Sequence, residues 1–533
     1  MAPTLFTLLE VTSPISVALA ALGSLLILYL ANRFVFDTGY PPGIPLVREP
    51  VGAKRFSLRT RLAYYTDCER LFHDAYHDYS KHGKPVVIPG IGYRKEVILP
   101  PSSIRWILSQ PEEKLGVGQA AAEVDQIAWS MGDDRYCMDP WQGLLVKNGL
   151  NPLLESISES LNEELIHAFE RHFGLDTENW TEVDLLSTVR MVVAQAANGF
   201  IVGRPLCRDE EFLTTCLAIN DKLVLNAATT GISPAWLRPI IGPIVNWPLR
   251  ATFRKLRAWF SPLLQMRIEK LKSSQDIPDS ERPRDLLQMM VQYAEENRPE
   301  ELRDIDVMMK RICSANFGAI HQTAIQVTNL FLNILGSDAQ FNTISALRDE
   351  ALGVLHSDDK ASWTKAKINK MIKADSIARE TLRLHSFGHR VIFRKVLVDG
   401  VATPDGHRIP KGTTVSILTR PAQTDPETFE DALSFDPFRF SRLGETETKG
   451  PVKLVSTSAD YLPFGHGKHA CPGRFLVDFE FKIIMAFVTT HYDLKFPKDQ
   501  NNGQRPENFW VTEVFFPPKG VRICVKRRKP ADT

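Results

Sequence analysis

One cysteine near the C-terminus carries the clearest chemistry in this chain. Cys471 lies in the run Phe464-Gly465-His466-Gly467-Lys468-His469-Ala470-Cys471-Pro472-Gly473. Its glycines let the backbone approach a flat group closely and turn N–H donors toward the sulfur. Such donors stabilise a thiolate, and a thiolate is what a metal ligand must be. His466, Lys468 and His469 add positive charge, expected to lower the thiol pKa and to meet an anionic cofactor edge. No second Cys or His at zinc spacing competes for the role.

Two further constellations come from upstream. Glu380-Thr381-Leu382-Arg383 puts an acid and a base three apart on one helical face, close enough to hydrogen-bond. Alone, that spacing is equally well an ordinary surface ion pair. In Asn316-Phe317-Gly318-Ala319-Ile320-His321-Gln322-Thr323, the small pair Gly318 and Ala319 would let a helix pass close over a flat group.

The order Phe-Gly-x-Gly-x-x-x-Cys-x-Gly closely resembles the heme-binding signature of the cytochrome P450 superfamily. The resemblance implies heme b with Cys471 as the axial thiolate on iron, and Phe464, Gly465, Gly467 and Gly473 shaping the loop around it. It also implies a partner for the helix pair. Phe435-Asp436-Pro437-Phe438-Arg439-Phe440 is similar to the superfamily segment whose arginine completes a Glu-Arg-Arg cluster, here Glu380, Arg383 and Arg439. That cluster is expected to hold the cysteine loop in place and to take no part in the chemistry.

Across the heme the chain departs from the pattern. The superfamily form is Ala-Gly-x-Asp/Glu-Thr-Thr; with Gly318 and Ala319 in the place of Ala-Gly, His321 takes the acid position and Gln322 that of the first Thr. A hydroxyl there usually relays protons. A carboxamide donates and accepts hydrogen bonds without titrating. Two outcomes stand open: a water bridged by His321, Gln322 or Thr323 carries the relay, or the reaction needs less of it. A shift of one residue would bring Thr323 into the place, with Ile320 where a small residue belongs. His469 matches a heme-propionate partner of the superfamily, or else steadies the loop. Arg390 and Arg394 lie where propionate or substrate contacts are often found, or are strand-surface charges. A Trp-x-x-x-Arg segment is not evident, since Trp141 and Lys147 lack that spacing.

Elements to position these residues can be read from periodicity. Amphipathic helices are expected at 153–173, 182–201, 249–271, 305–335 and 365–384. Two strands flank Pro89-Gly90-Ile91-Gly92 between Val86 and Leu99, and strands return at 391–398, 413–418 and 522–526. The fold class is mainly α with small β-sheets, the cytochrome P450 fold of the resemblance, preceded by a transmembrane helix. With 533 residues, 44% hydrophobic, the chain can bury a large core. A net charge of +1 without a sustained basic stripe excludes a nucleic-acid partner. Seven scattered cysteines, odd in number, fit a reducing compartment.

Residues 15–31 are uncharged and, extended to Phe36, reach the roughly twenty residues that span a bilayer. No Lys or Arg precedes Arg33, which places the C-terminal side in the cytosol. The domains are thus an anchor at 1–36 and a heme-thiolate catalytic domain at 37–533, joined by a Pro-rich hinge at 37–50. Substrate-facing candidates, by resemblance, are 115–135, Phe317 and Gly318, 387–391 and 511–515, mostly apolar. The expected function is oxidation of a lipophilic small molecule in filamentous-fungal secondary metabolism, at the endoplasmic reticulum membrane. It would use O2 and electrons from NADPH-cytochrome P450 reductase. Two alternatives remain open: rearrangement, desaturation or ring expansion without oxygen insertion, which Gln322 motivates, and a non-catalytic heme-binding membrane protein.

Overall fold

A computed structural model describes residues 22–24, 26–28, 39–150, 154–273, 283–355, 363–446 and 452–529. Most of the expected anchor lies outside these residues. Among the described residues no helix is long and apolar enough to cross a membrane. The hinge is described from Gly39, and it is not free. Leu46 bridges to Val87, with Val47 N donating to Val87 O at 3.0 Å and Val87 N to Pro45 O at 2.9 Å.

Eleven of the helices organise the body: α1 (Leu58–Thr66), α2 (Cys68–His77), α3 (Leu154–Phe173), α4 (Leu185–Ile201), α5 (Glu210–Ile232), α6 (Trp247–Ser273), α7 (Ile305–Asn316), α8 (Gln322–Phe341), α9 (Thr343–Leu355), α10 (Ile372–Leu384) and α11 (Arg474–His491). Their starts follow local chemistry. Asp184, Asp209 and Asp304 each accept a hydrogen bond from backbone N–H groups in the first turn of α4, α5 and α7. The expected helix at 182–201 therefore begins later, and residues Thr181–Asp184 form a strand instead.

Two other expectations are corrected. The single helix expected over 305–335 is broken by a π turn at Phe317–His321, between α7 and α8. The helix expected over 365–384 is two pieces, a short turn at Lys365–Ile368 and then α10. Helices α1, α2, α5, α9 and α11 were not among the expected ranges.

The main core joins α3, α4, α7, α8, α10 and α11 through residues such as Leu165, Val193, Ile312, Phe331, Ile377 and Phe487. Phe169, Phe173, Phe331 and Tyr492 meet there edge to face. Full burial of each such ring stabilises by ~1.5–3 kcal/mol. A second core lies under the sheet β1 (Val86–Pro89), β2 (Lys95–Leu99), β3 (Leu115–Gly116) and, after β4 (Thr181–Asp184), β5 (Arg390–Val396), then β6 (Val401–Ala402), β7 (Arg408–Ile409) and β8 (Thr414–Leu418). The sheet order is β1-β2-β8-β5-β3, with β2 and β8 parallel. Strand β4 joins β12 (Arg522–Arg527) and β9 (Tyr492–Lys495), while β10 (Phe509–Val511) and β11 (Val514–Phe516) form a hairpin and β6 pairs β7. All seven cysteines are free.

Candidate active site

The cysteine loop is built from its turns. Gly465 (φ 67°) and Gly467 (φ 70°) sit in the left-handed region that side chains disfavour. A Cβ on Gly467 would also meet the side chain of Leu108 at 3.0 Å. Within the loop, Gly465 N donates to Leu462 O at 2.9 Å, Ala470 N to Gly467 O at 3.1 Å and Cys471 N to Phe464 O at 2.8 Å. Cys471 stands just before α11. Burial pushes its thiol above the ordinary value, while the backbone N–H groups of Gly473 and Arg474 and the charge of Arg474 pull it down. The sequence had assigned that pull to His466, Lys468 and His469. His466 instead pairs through Nδ1 with Thr457 Oγ1 at 2.8 Å. The cation beside the sulfur is Arg474, whose place directly after Cys-Pro-Gly was the available signal.

Behind the loop, Glu380, Arg383 and Arg439 meet as one cluster. Arg383 donates Nε to Glu380 Oε2 at 2.7 Å and Nη2 to Oε1 at 2.8 Å, with both side chains fully buried. Arg439 Nε reaches Glu380 Oε1 at 3.1 Å. The spare donors of Arg383 fix the following loop: Nη1 meets Gln423 O and Ala432 O, both at 2.7 Å. Gln423 then relays position to the cysteine side, since its Oε1 accepts from Leu462 N at 3.1 Å and its Nε2 donates to Arg383 O at 2.9 Å. Arg379 adds a second tie. It lies 3.6 Å from the Tyr461 ring centroid and donates to Lys453 O and Ser456 O. Neither Gln423 nor Arg379 was singled out from sequence.

Arg390 and Arg394 part company. Strict alternation along β5 would put both on one face, but the pairing with β8 shifts between Val391 and Arg394, and Ile392 has φ 58°, strained for a β-branched residue. Arg390 turns to two buried carboxylates: Nε and Nη2 clamp Glu513 at 2.6 and 2.7 Å, and Nη1 meets Glu96 at 2.8 Å. Tyr64 OH donates to the same Glu513 at 2.8 Å. Burial would raise the Glu513 carboxyl, yet Arg390 and Tyr64 hold it down to about 2. The donors expected for a propionate are thus spent on pinning the β10–β11 hairpin. Arg394, also buried, donates among the described residues only to the adjacent Phe393 O and is pushed down to about 10 by burial. It acts electrically on His469, as do Lys468 and Lys147. His469 Nε2 lies 3.2 Å from Glu112 Oε1, and Lys147 Nζ donates to Lys468 O at 3.4 Å. Trp141, by contrast, is buried and donates to Glu301 at 3.1 Å.

On the helix side, Gly318 and Gln322 are exposed although Asn316, Ile320 and Thr323 around them are buried. Nothing comes within 4 Å of a Cβ built on Gly318. His321 stacks on Phe317 (5.4 Å, 10°) and meets Phe387 edge-on at 6.1 Å. Burial pushes its imidazole down to about 4, so it is neutral near pH 7. Phe317 and Ala319 from this helix and Phe464 from the loop all border the main core. The arrangement suits a flat cofactor with an anionic edge: a shielded sulfur with backbone donors, cations at Arg394, Lys468 and Lys147 beside the His469 imidazole, whose pKa burial and those charges lower, and open space at Gly318.

Comparisons with known proteins agree. Residues 144–525 match the family model for cytochrome P450. Cytochrome P450 monooxygenase pbrC of Penicillium brasilianum is 48% identical over 507 residues, covering 94% of each chain. Cytochrome P450 monooxygenase astC of Aspergillus terreus is 48% identical over 519 residues, covering 96% of each. Cytochrome P450 monooxygenase tenB of Beauveria bassiana is 45% identical over 499 residues, covering 92% of each. The crystal structure of the cytochrome P450DA heme domain shares the fold, with a TM-score of 0.66 at 15% identity over 92% of this chain and 99% of that one. With the family model spanning well over half its length, the chain belongs to the cytochrome P450 family, enzymes built round heme b with a cysteine thiolate on the iron.

Proposed function

We propose that this enzyme is a membrane-anchored monooxygenase of fungal secondary metabolism that oxidises a lipophilic small molecule, with Cys471 as the iron ligand. The observation that carries the reading is the cysteine loop: one half-buried thiol, backbone donors at Gly473 and Arg474, and cations grouped at what would be the propionate edge. The heme, when bound, supplies activation of dioxygen with electrons from NADPH-cytochrome P450 reductase. Arg394, His469 and Lys147 are the residues placed to take its carboxylates, with Arg390 reserved for Glu513 and Glu96. Phe464, Gly465, Gly467 and Gly473 would let the backbone approach the group closely on the cysteine side. Gly318 and Ala319 would leave room on the helix side, where Phe317, Phe387 and the β10–β11 hairpin would give the substrate an apolar wall.

Protons are moved by His321, Gln322 and Thr323 with water. Neutral His321 supplies one donor and one acceptor, and Gln322, exposed on the Gly318 face, can orient a water without titrating. The apolar run at 15–36 makes the protein single-pass in the endoplasmic reticulum membrane, with the catalytic domain in the cytosol. Membranes from cells expressing the chain with the reductase, fed candidate fungal metabolites under labelled dioxygen, should give a product that carries one labelled oxygen. Product without label would replace this reading with the rearranging or desaturating one. Deleting residues 1–36 should move the protein out of the membrane pellet; retention there would remove the anchor.

A further inference from the structure

Helix α8 carries three carboxamides along one buried stripe, Gln326, Asn329 and Asn333, three and four residues apart. Asn329 and Asn333 are 0% and 1% exposed. Polar groups so deep need partners, and one side chain from outside the helix serves two of the three. Arg505, just ahead of the β10–β11 hairpin, donates Nε to Asn333 Oδ1 at 2.7 Å and Nη2 to Asn329 Oδ1 at 3.3 Å. The same Nη2 meets Asn508 Oδ1 and His385 Nε2, both at 2.9 Å, and Nη1 reaches Pro506 O at 2.8 Å. Asn508 Nδ2 donates to Asn329 Oδ1 at 2.8 Å, and Gln326 Nε2 to His385 O at 3.0 Å. Burial, with the charge of Arg505, pushes the His385 imidazole well below its ordinary value and leaves it neutral. The stem of Arg505 crosses α8 at Gly336, where a Cβ would meet Arg505 Cβ at 2.8 Å. A glycine inside a helix weakens it, and this close approach is what it permits.

The turn of the hairpin is fastened independently. Arg390 and Tyr64 clamp Glu513, and Trp510 stacks on His389 at 3.9 Å. Further along, Phe515 N donates to Phe387 O at 2.9 Å, and Phe387 meets His321 of the π turn edge-on at 6.1 Å. The Arg505 network reaches the same strand, since His385 lies parallel to the Phe515 ring at 5.9 Å. Hairpin and Phe387 thus form one wall, held at its turn by Arg390 and at its foot by Arg505. We propose that Arg505 is a positioning residue: it fixes the foot of this wall against α8 and α10, and so sets how large a group the site accepts beside the cofactor. The inference rests on the reading above, in which the hairpin and Phe387 border the substrate. Arg505 acts through the hairpin, and the carboxamides of α8 are the rigid ground to which it is tied.

The test uses full-length holoenzyme and two heme ligands read by their optical shift, imidazole and the larger 4-phenylimidazole. Arg505→Met should keep the reduced carbon-monoxide band near 450 nm and bind imidazole as the wild type does. It should bind 4-phenylimidazole about tenfold more weakly, the low end of what one hydrophobic contact is worth in discrimination. Arg505→Lys, which keeps a cation and a donor, should recover most of that loss. Gly336→Ala removes no polar group and should shift 4-phenylimidazole the same way, by pushing the Arg505 stem off α8; it decides the matter if Arg505→Met does not fold. Hydrogen exchange in Arg505→Met should quicken at Phe509–Phe516 and stay slow in α10. The proposal is overturned if 4-phenylimidazole affinity is unchanged in Arg505→Met and Gly336→Ala, or if both ligands weaken equally. A wild type that prefers imidazole to 4-phenylimidazole sinks the wall reading instead, and one without the 450 nm band sinks the heme-thiolate reading. In either case hydrogen exchange still decides the anchoring: faster exchange at the hairpin upholds it and unchanged exchange overturns it.

Discussion

On the cysteine side of the site every nitrogen of Arg383 and both oxygens of Glu380 have partners, whereas four buried polar atoms of Asn220, Asn316 and His321 have none among the described residues. The first region is a closed hydrogen-bond chain from Glu380 through Gln423 to Leu462. The second is a helix interrupted by a π turn, with two exposed positions at its centre. A ligand sulfur must stay in one place, and the Glu380–Arg383 pair behind it is fully paired. A face that admits oxygen, water and substrate in turn cannot be closed in the same way.

Four changes would break or sharpen this contrast. Cys471→Ser should abolish the 450 nm band and all turnover, read on reduced, carbon-monoxide-treated membranes; a band that survived would move the ligand elsewhere. Glu380→Ala strands two guanidinium groups in a buried site and should cost about 3–5 kcal/mol, seen as loss of heme-loaded protein and a lower denaturant midpoint. Equal stability would mean that the cysteine side is not the locked one. The two β5 arginines should separate by readout. Arg390→Leu leaves Glu513 with Tyr64 and Glu96 with Arg94 as remaining partners but removes the cation the two carboxylates share, and stability should fall by about 3 kcal/mol. Arg394→Leu should leave the melt nearly unchanged and weaken heme retention on dilution; the reverse pattern would return the propionate role to Arg390.

The smallest effect is at His321. Its pKa is lowered from 6.5 to about 4 by burial, so between those values the unfolded chain takes up a proton that the folded one refuses. Stability therefore falls as pH drops from 6.5 toward 4. Denaturant melts of His321→Gln should lack that part of the slope and match the wild-type slope above pH 7. An unchanged slope in the variant would show that His321 is solvated.

Sequence reading went furthest where chemistry demands fixed residue types at fixed spacing. Cys471, its glycines and the Glu380–Arg383 pair are legible for that reason, and the pair acquires Arg439 only through resemblance. Reading failed where one residue out of step decides the geometry. The bulge at Ile392 separates Arg390 from Arg394, yet composition and alternation are the same with or without it. The π turn at Phe317–His321 likewise leaves the apolar period almost intact, so 305–335 reads as one helix. Buried partners distant in sequence, such as Glu513 for Arg390 or Gln423 for Leu462, leave no local trace. The thiol environment was misjudged for the same reason: burial raises the thiol, and the groups that lower it are Gly473 and Arg474, not the neighbouring histidines.

The staple between Pro45–Val47 and Val87 sets a leash length. If residues 15–36 span a bilayer, as proposed, only the eight residues 37–44 separate the end of the span from the first fixed point on the sheet, Pro45. Fully extended, the steps from Phe36 to Pro45 reach about 30 Å, at ~3.3–3.6 Å each. The body could then neither tumble freely nor drift far from the lipid surface. For a lipophilic substrate, the concentration that matters would be its concentration in the membrane, so solubility in water would say little about how fast this enzyme is supplied.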